Sequence, residues 1–200
     1  MTGSPQGGAV KKRYLEASDY QRDIWRLAAA VRNGGWRPDY LVGMWRGGTP
    51  PAISLHEFLK VTGWDVRHAP LKCSSYDGIG SNGGEVRFFA GETVFGAFRP
   101  GEKVLFVDDV FDTGKTAEAV AAKMAETGAE HRFACVYWKP EKNRTSLKPD
   151  YFVRDVGGDW LVFPHEMEGL LEDELCEKDP VLADLVRNAK CASEPLPCLP

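Results

Sequence analysis

The sequence predicts an α/β fold, a doubly wound, mostly parallel sheet flanked by helices, and three observations carry that expectation. Short apolar runs alternate with amphipathic stretches along most of the chain, the order that strand–helix–strand units require. The most apolar run, residues 103–107, ends in two aspartates and a Thr-Gly-Lys-Thr turn before the next helical stretch. That puts polar groups at the carboxyl end of a strand, where sheets of this class hold their ligands. Finally, 200 residues with 43% hydrophobic content supply one sizeable core and are short for two.

Taken in order, residues 1–12 are Gly-rich and expected to be disordered. Ser18, with Gln21 three residues on, then caps a helix whose apolar face is Ile24, Leu27, Ala28 and Val31 and which Gly34-Gly35 stops. Residues 40–45 read as a strand, Arg46-Gly47-Gly48 as a tight turn, and residues 50–61 as a second amphipathic helix. A strand at 66–71 leads into a polar stretch, 74–96, whose glycines at 78, 80, 83 and 84 suggest a long mobile loop. The strand at 103–107 is followed by a helix over 113–127, a strand at 133–138, a Pro-flanked loop, and strands at 151–156 and 160–163. Residues 166–190 are acidic and helical, and 191–200 form a loose tail. Residues 13–190 therefore read as a single domain.

Composition excludes several classes. The formal charge is −4 with acids and bases interspersed, so no basic stripe is available to follow a nucleic-acid backbone. No apolar run is long enough for a bilayer and residues 1–12 lack the apolar centre of a secretory signal, which points to a cytoplasmic protein with no membrane partner. The cysteines at 73, 135, 176, 191 and 198 are odd in number without CxxC spacing. They read as free thiols rather than a disulfide framework or zinc site.

The chemistry concentrates in Val104-Leu105-Phe106-Val107-Asp108-Asp109-Val110-Phe111-Asp112-Thr113-Gly114-Lys115-Thr116. A buried strand delivers adjacent carboxylates to the sheet edge, where they suit a sugar diol or water on a metal ion. The turn at 113–116 opens a helix, so amides, the helix dipole and two hydroxyls converge on a phosphate-sized site. Gly114-Lys115-Thr116 resembles the end of a mononucleotide P-loop. That motif needs a glycine five positions before Gly114, and Asp109 stands there.

The 13-residue segment resembles the phosphoribosyl pyrophosphate (PRPP) signature of type I phosphoribosyltransferases at every position. The flanking features are similar to the 6-oxopurine branch, and the likeness covers roughly residues 36 to 167. The resemblance implies a small hood for the base beside the sheet, and a magnesium-dependent enzyme of purine salvage. Such an enzyme joins hypoxanthine, guanine or xanthine to PRPP with release of pyrophosphate. It implies that Asp108 and Asp109 hold the ribose hydroxyls, partly through magnesium, and that Thr113, Gly114, Lys115 and Thr116 hold the 5′-phosphate. Asp112 takes the place of the carboxylate that accepts the purine N7 proton, with a helix N-cap as its compatible structural role. Arg46-Gly47-Gly48 resembles the pyrophosphate loop, in which a non-proline cis peptide turns donors to the ligand, making Trp45–Arg46 the candidate bond.

Ser75-Tyr76 resembles the Ser-Tyr pair of the family's closing loop. Lys139 matches the donor to purine O6. In the segment 160–166, Trp160 takes the place of the stacking ring, Leu161 that of the backbone reading the base edge, and Glu166 that of a metal-binding acid. Glu168 and Glu172 stand near Glu166 as alternatives, and His165 reads as structural. A homodimer or homotetramer is implied. Two other readings stay open: a PRPP-binding regulator of the same fold, and transfer to another base such as orotate or adenine.

Overall fold

The apolar runs build a six-stranded sheet in a computed structural model that describes residues 12–76 and 85–191. In chain order the strands are β1 (Lys12–Tyr14), β2 (Tyr40–Trp45), β3 (Arg67–Tyr76), β4 (Glu85–Phe89), β5 (Lys103–Phe111), β6 (Glu130–Trp138), β7 (Tyr151–Asp155) and β8 (Trp160–Val162). The helices are α1 (Ala17–Asn33), α2 (Thr49–Val61), α3 (Gly91–Phe95), α4 (Lys115–Ala125), α5 (Glu172–Lys178) and α6 (Pro180–Cys191). The chain divides into two compact units, Ser18–Asp159 and one made from both chain ends, Met1–Ala17 with Trp160–Pro200.

In the first unit the strand order is β4-β3-β2-β5-β6-β7. Every pairing is parallel except β3 with β4. Residues 104–107 of β5 are all buried, as expected of a central parallel strand covered on both faces. On one face Val42, Val104 and Phe106 join Val120 and Met124 of α4 in the core. The alternate residues Leu41 and Leu105 are also buried, and they point to the opposite face, with α2 packed on β2 and β5.

Strand order reverses between β2 and β5, because β2 leads outward to β3 while β5 leads outward to β6 and β7. The crevice beyond the carboxyl ends of β2 and β5 is the topological switch point, the position where such sheets bind ligands.

Several expectations need correction. The stretch 74–96 is not one long loop: β3 continues to Tyr76, and β4 returns antiparallel, pairing Ser75 with Val86 and Tyr76 with Glu85, before α3 follows. Phe88 packs that return strand against the core and meets Phe95 of α3 edge to face; the glycine cluster that suggested a loop falls at 77–84, outside the described residues. Strand β5 runs through Asp108 and Asp109 to Phe111, and α4 begins only at Lys115 with Gly114 as its N-cap. Asp112 is therefore not the cap. Lys12, expected in a disordered start, lies in β1, and β8 pairs with it rather than with the large sheet. The rest of that expected disordered segment, and residues 192–200 of the expected tail, lie outside the described residues.

The unit built from the chain ends consists of β1 and β8 in parallel register, Lys12 opposite Trp160 and Tyr14 opposite Val162, followed by the α5–α6 pair. Asp179 caps α6, its Oδ1 accepting from the Val181 and Leu182 amides at 2.8 and 3.1 Å, with Pro180 at the first helical position. No helix among the described residues is long and apolar enough to cross a membrane.

Candidate active site

Two turns meet at the switch crevice. The first follows β2, where the Trp45–Arg46 peptide is cis and Gly48 caps α2, with prolines in that helix's opening turn. Gly47 and Gly48 have a steric reason to lack a side chain. A β-carbon on Gly47 would collide with the Asp109 carboxylate, and one on Gly48 would strike the Val107 carbonyl and lie 2.8 Å from the α-carbon of Asp108. Glycine is what allows this backbone to approach the carboxylate-bearing strand so closely.

The second turn follows β5. The Asp109 carboxylate is buried and its Oδ1 accepts from the Val110 amide at 2.7 Å, while Asp108 Oδ1 accepts from the Asp109 amide at 3.0 Å. Burial, and then the neighbouring charge of Asp109, push the Asp108 carboxyl well above the ordinary carboxylate range. Burial likewise pushes the Cys73 thiol up to about 12, with Asp108 adding to the effect, and raises that of Cys135. Both cysteines lie close to the acids as protonated thiols, without the thiolate that nucleophilic chemistry needs.

Gly114 has φ +78°, and a β-carbon there would also fall on Asn143 Oδ1 and Thr145 Oγ1. These two residues form a turn of their own: the Thr145 amide donates to Asn143 Oδ1 at 3.0 Å, and the Arg144 amide donates to the Thr113 carbonyl at 2.9 Å. The 143–145 segment thus braces the phosphate-type turn from outside. Sequence reasoning missed it, although Asn-x-Thr after a Pro-flanked loop is a side-chain-closed turn signal. The first intrahelical bond of α4 runs from the Glu118 amide to the Gly114 carbonyl at 2.9 Å, and no side chain caps the helix. The preceding amides are left for an anion. Asp108, Asp112, Thr113, Gly114 and Thr116 line one cavity of about 100 Å³. Lys115 is exposed beside it, as is Arg46 at the other turn.

Lys139 is not solvated at its strand end. It is 5% exposed, its amide donates to the Phe111 carbonyl at 3.0 Å, and its Nζ stands 3.5 Å from Asp112 Oδ2. The other oxygen, Asp112 Oδ1, is buried without a hydrogen-bond partner. With one oxygen facing Lys139 and the other buried without a partner, this carboxylate at the mouth of the turn keeps acceptor capacity for a donor on a ligand.

In the other unit, Trp160 is 54% exposed while Leu161 is buried. Phe163 and Glu166 close a turn, the Glu166 amide donating to the Phe163 carbonyl at 3.0 Å and the Phe163 amide donating to Glu166 Oε2 at 3.0 Å. The structure therefore brings together Gly47, Gly48, Asp108 and Asp109, and also Asp108, Asp112, Thr113, Gly114 and Thr116. Trp160, Leu161 and Glu166 belong to the second unit. The backbone of Ser75 and Tyr76 lies at the end of β3.

Comparison with known proteins agrees with this geometry. Residues 12–170 match the phosphoribosyl transferase domain. A xanthine-guanine phosphoribosyltransferase of Cereibacter sphaeroides is 31% identical over 147 residues, 72% of this chain and 77% of that protein. A purine phosphoribosyltransferase structure from Pyrococcus horikoshii is 32% identical with a TM-score of 0.63, covering 80% of this chain and 97% of the other. The fold is shared as well by a Helicobacter pylori xanthine-guanine-hypoxanthine phosphoribosyltransferase, at 20% identity, a TM-score of 0.61, and 90% and 99% coverage. On the matched domain and these relatives, the chain belongs to the phosphoribosyltransferase family.

Proposed function

We propose that the protein transfers the 5-phosphoribosyl group of PRPP to N9 of a 6-oxopurine, releasing pyrophosphate and forming the nucleoside monophosphate for purine salvage. The observation that carries this reading is the single cavity shared by Asp108, Asp112 and the 113–116 turn, with the Gly47 backbone against Asp109. Sugar-diol acceptors, a phosphate cradle and a pyrophosphate turn then occupy adjoining positions. The choice of a purine rests on the two relatives above 30% identity, named for xanthine-guanine and for purine transfer.

The 113–116 amides and hydroxyls hold the 5′-phosphate, Asp108 and Asp109 hold the ribose diol, and Arg46 with the amides of Gly47 and Gly48 holds the pyrophosphate. As the C1′–O bond to pyrophosphate breaks, positive charge develops on the ribose and N9 of the purine bonds to C1′. Asp112 accepts the proton leaving N7. Lys139 donates to purine O6, Trp160 stacks on the ring, the Leu161 backbone reads the base edge, and Ser75-Tyr76 belong to the segment that covers the substrates.

The acid pair also fits a magnesium ion. Two adjacent carboxylates, one pushed strongly toward its neutral form by burial and by its neighbour, gain from a divalent cation. They are also the share of ligands magnesium takes when substrate oxygens supply the others. When bound, the ion neutralises charge on the pyrophosphate. Glu166 is the third acid proposed for it, with one oxygen engaged by the Phe163 amide.

The test is nucleotide formation from PRPP with hypoxanthine, guanine, xanthine, adenine and orotate in parallel, with magnesium and with excess EDTA. Turnover of at least one 6-oxopurine, abolished by EDTA and restored by magnesium, is expected. Adenine should fall far behind, because its 6-amino group presents a donor to Lys139, a mismatch worth up to ~10⁴-fold. Undiminished activity in EDTA, or adenine within about tenfold of hypoxanthine, overturns the metal or the base assignment respectively.

A further inference from the structure

The matched family domain ends at residue 170, and the helical pair α5–α6 begins at Glu172, so this extension follows the matched domain. It is firmly built into its own unit. Glu174 of α5 ion-pairs through Oε1 with Lys12 of β1 at 2.5 Å and accepts the Leu171 amide through Oε2 at 2.8 Å. Arg187 of α6 reaches back to Glu172 at 2.7 Å. From this braced helix Lys178 points its ammonium at the turn following β8: Nζ donates to the Phe163 carbonyl at 2.7 Å and also to the Glu166 carbonyl.

One cation on two carbonyls three residues apart fixes the spacing of the turn's two ends. The local pair between Phe163 and Glu166 closes the same turn from within. Charged donors make the stronger class of hydrogen bond, and Lys178 is half-buried, so the contact is sheltered from competing water. The clamped turn begins one residue after β8, whose Trp160 and Leu161 carry the proposed base-reading roles.

We propose that Lys178 is a positioning residue for purine binding: it acts through the backbone of residues 163–166 to hold the base-reading segment in register, and the α5–α6 extension exists to deliver it. The inference rests on the purine-transfer reading. It assigns Lys178 no contact with substrate.

Three variants test it: Lys178→Met removes the donor, Lys178→Arg keeps a cation that can serve two carbonyls, and Glu174→Gln loosens α5 at its other anchor. Purine KM and PRPP KM are measured separately, and amide hydrogen exchange of residues 160–167 supplies a readout independent of activity. Lys178→Met should raise purine KM about 5- to 30-fold, from the loss of charged hydrogen bonds, with PRPP KM within twofold. Exchange in 160–167 should quicken. Lys178→Arg should stay within about threefold of the parent in purine KM, and Glu174→Gln, which keeps Lys178 but slackens the helix that carries it, should lower the melting temperature and raise purine KM by less than Lys178→Met does.

The inference is overturned if Lys178→Met leaves purine KM unchanged, even where exchange quickens. Both KM values rising together, or Glu174→Gln matching Lys178→Met in purine KM, also overturn it. Should Lys178→Met not fold, Lys178→Gln takes its place, and its purine KM must rise with the same split. A parent inactive on every purine sinks the functional reading instead; unchanged exchange in 160–167 then sinks the clamp as well.

Discussion

Asp112 is where the chemistry is most exposed to test, because its two oxygens have different surroundings. Oδ2 faces Lys139 at 3.5 Å, and Oδ1 is buried with no partner. Asp112→Asn keeps the size of the side chain, and since Gly114 rather than Asp112 caps α4, the substitution leaves the helix start untouched. The amide cannot accept a full proton from N7. kcat should therefore fall by roughly 10²–10⁴, the usual range for a general base, with PRPP KM nearly unchanged. Retention of more than about a third of the parent kcat would leave Asp112 only a hydrogen-bond partner of Lys139. Asp108→Asn should behave differently and weaken PRPP binding too, since a carboxylate facing the diol acts in the ground state as well.

At the scale of elements, α1 is tied to the sheet by a buried acid outside the site. Asp23 is 1% exposed and accepts from Tyr137 of β6 at 2.9 Å, from Arg26 at 2.7 Å, and from Arg154 of β7. Burial alone would raise its pKa, but the hydrogen bonds from Arg154, Tyr137 and Arg26 outweigh it and hold the carboxyl below its ordinary 3.8. A depressed pKa means the folded state binds its proton less readily than the unfolded chain does. Its stabilisation is thus complete above about pH 4–5 and lost as pH falls through the lower folded value. Asp23→Asn should cost about 1–3 kcal/mol at neutral pH, reduced from a fully buried pair because both arginines reach water. The difference from the parent should shrink in melts taken below about pH 3; a constant difference across that range would show that the charge contributes nothing.

The same elements show what a sequence can carry. Residues 104–116 were legible because a strand, its terminal acids and a glycine turn are contiguous in the chain, whereas the Trp45–Arg46 cis bond was reached only through the resemblance of Arg46-Gly47-Gly48 to the pyrophosphate loop. The Asp112–Lys139 pair spans 27 residues, and the β1–β8 pairing joins positions 12 and 160. Local pattern holds no information about such register. The β4–α3 return was hidden for another reason: polar and glycine-rich flanks outweighed a five-residue strand.

For the whole molecule, the proposed PRPP and stacking roles fall in different units, although Lys139, proposed for purine O6, shares the PRPP unit and Glu166, proposed for the metal, shares that of Trp160. Every residue assigned to PRPP, 46–48 and 108–116, lies within Ser18–Asp159, and the aromatic assigned to stacking lies in the unit formed by the chain ends. Substitutions should then sort by which KM they move. Trp160→Ala is the sharpest case. Trp160 is 54% exposed, so more than half of its surface already meets water, and its place in β8 is held by backbone pairing with Lys12, which alanine preserves. The melting temperature should stay within a few degrees of the parent, as for surface substitutions generally. Purine KM should rise about 5- to 100-fold, the range for losing one base–aromatic stack of ~1–3 kcal/mol, while PRPP KM stays within about twofold. A ring that served only as surface would leave both constants unchanged. A ring that shaped the fold would move both together with the melting temperature. Only a rise confined to the purine fits a stacking residue carried by the second unit.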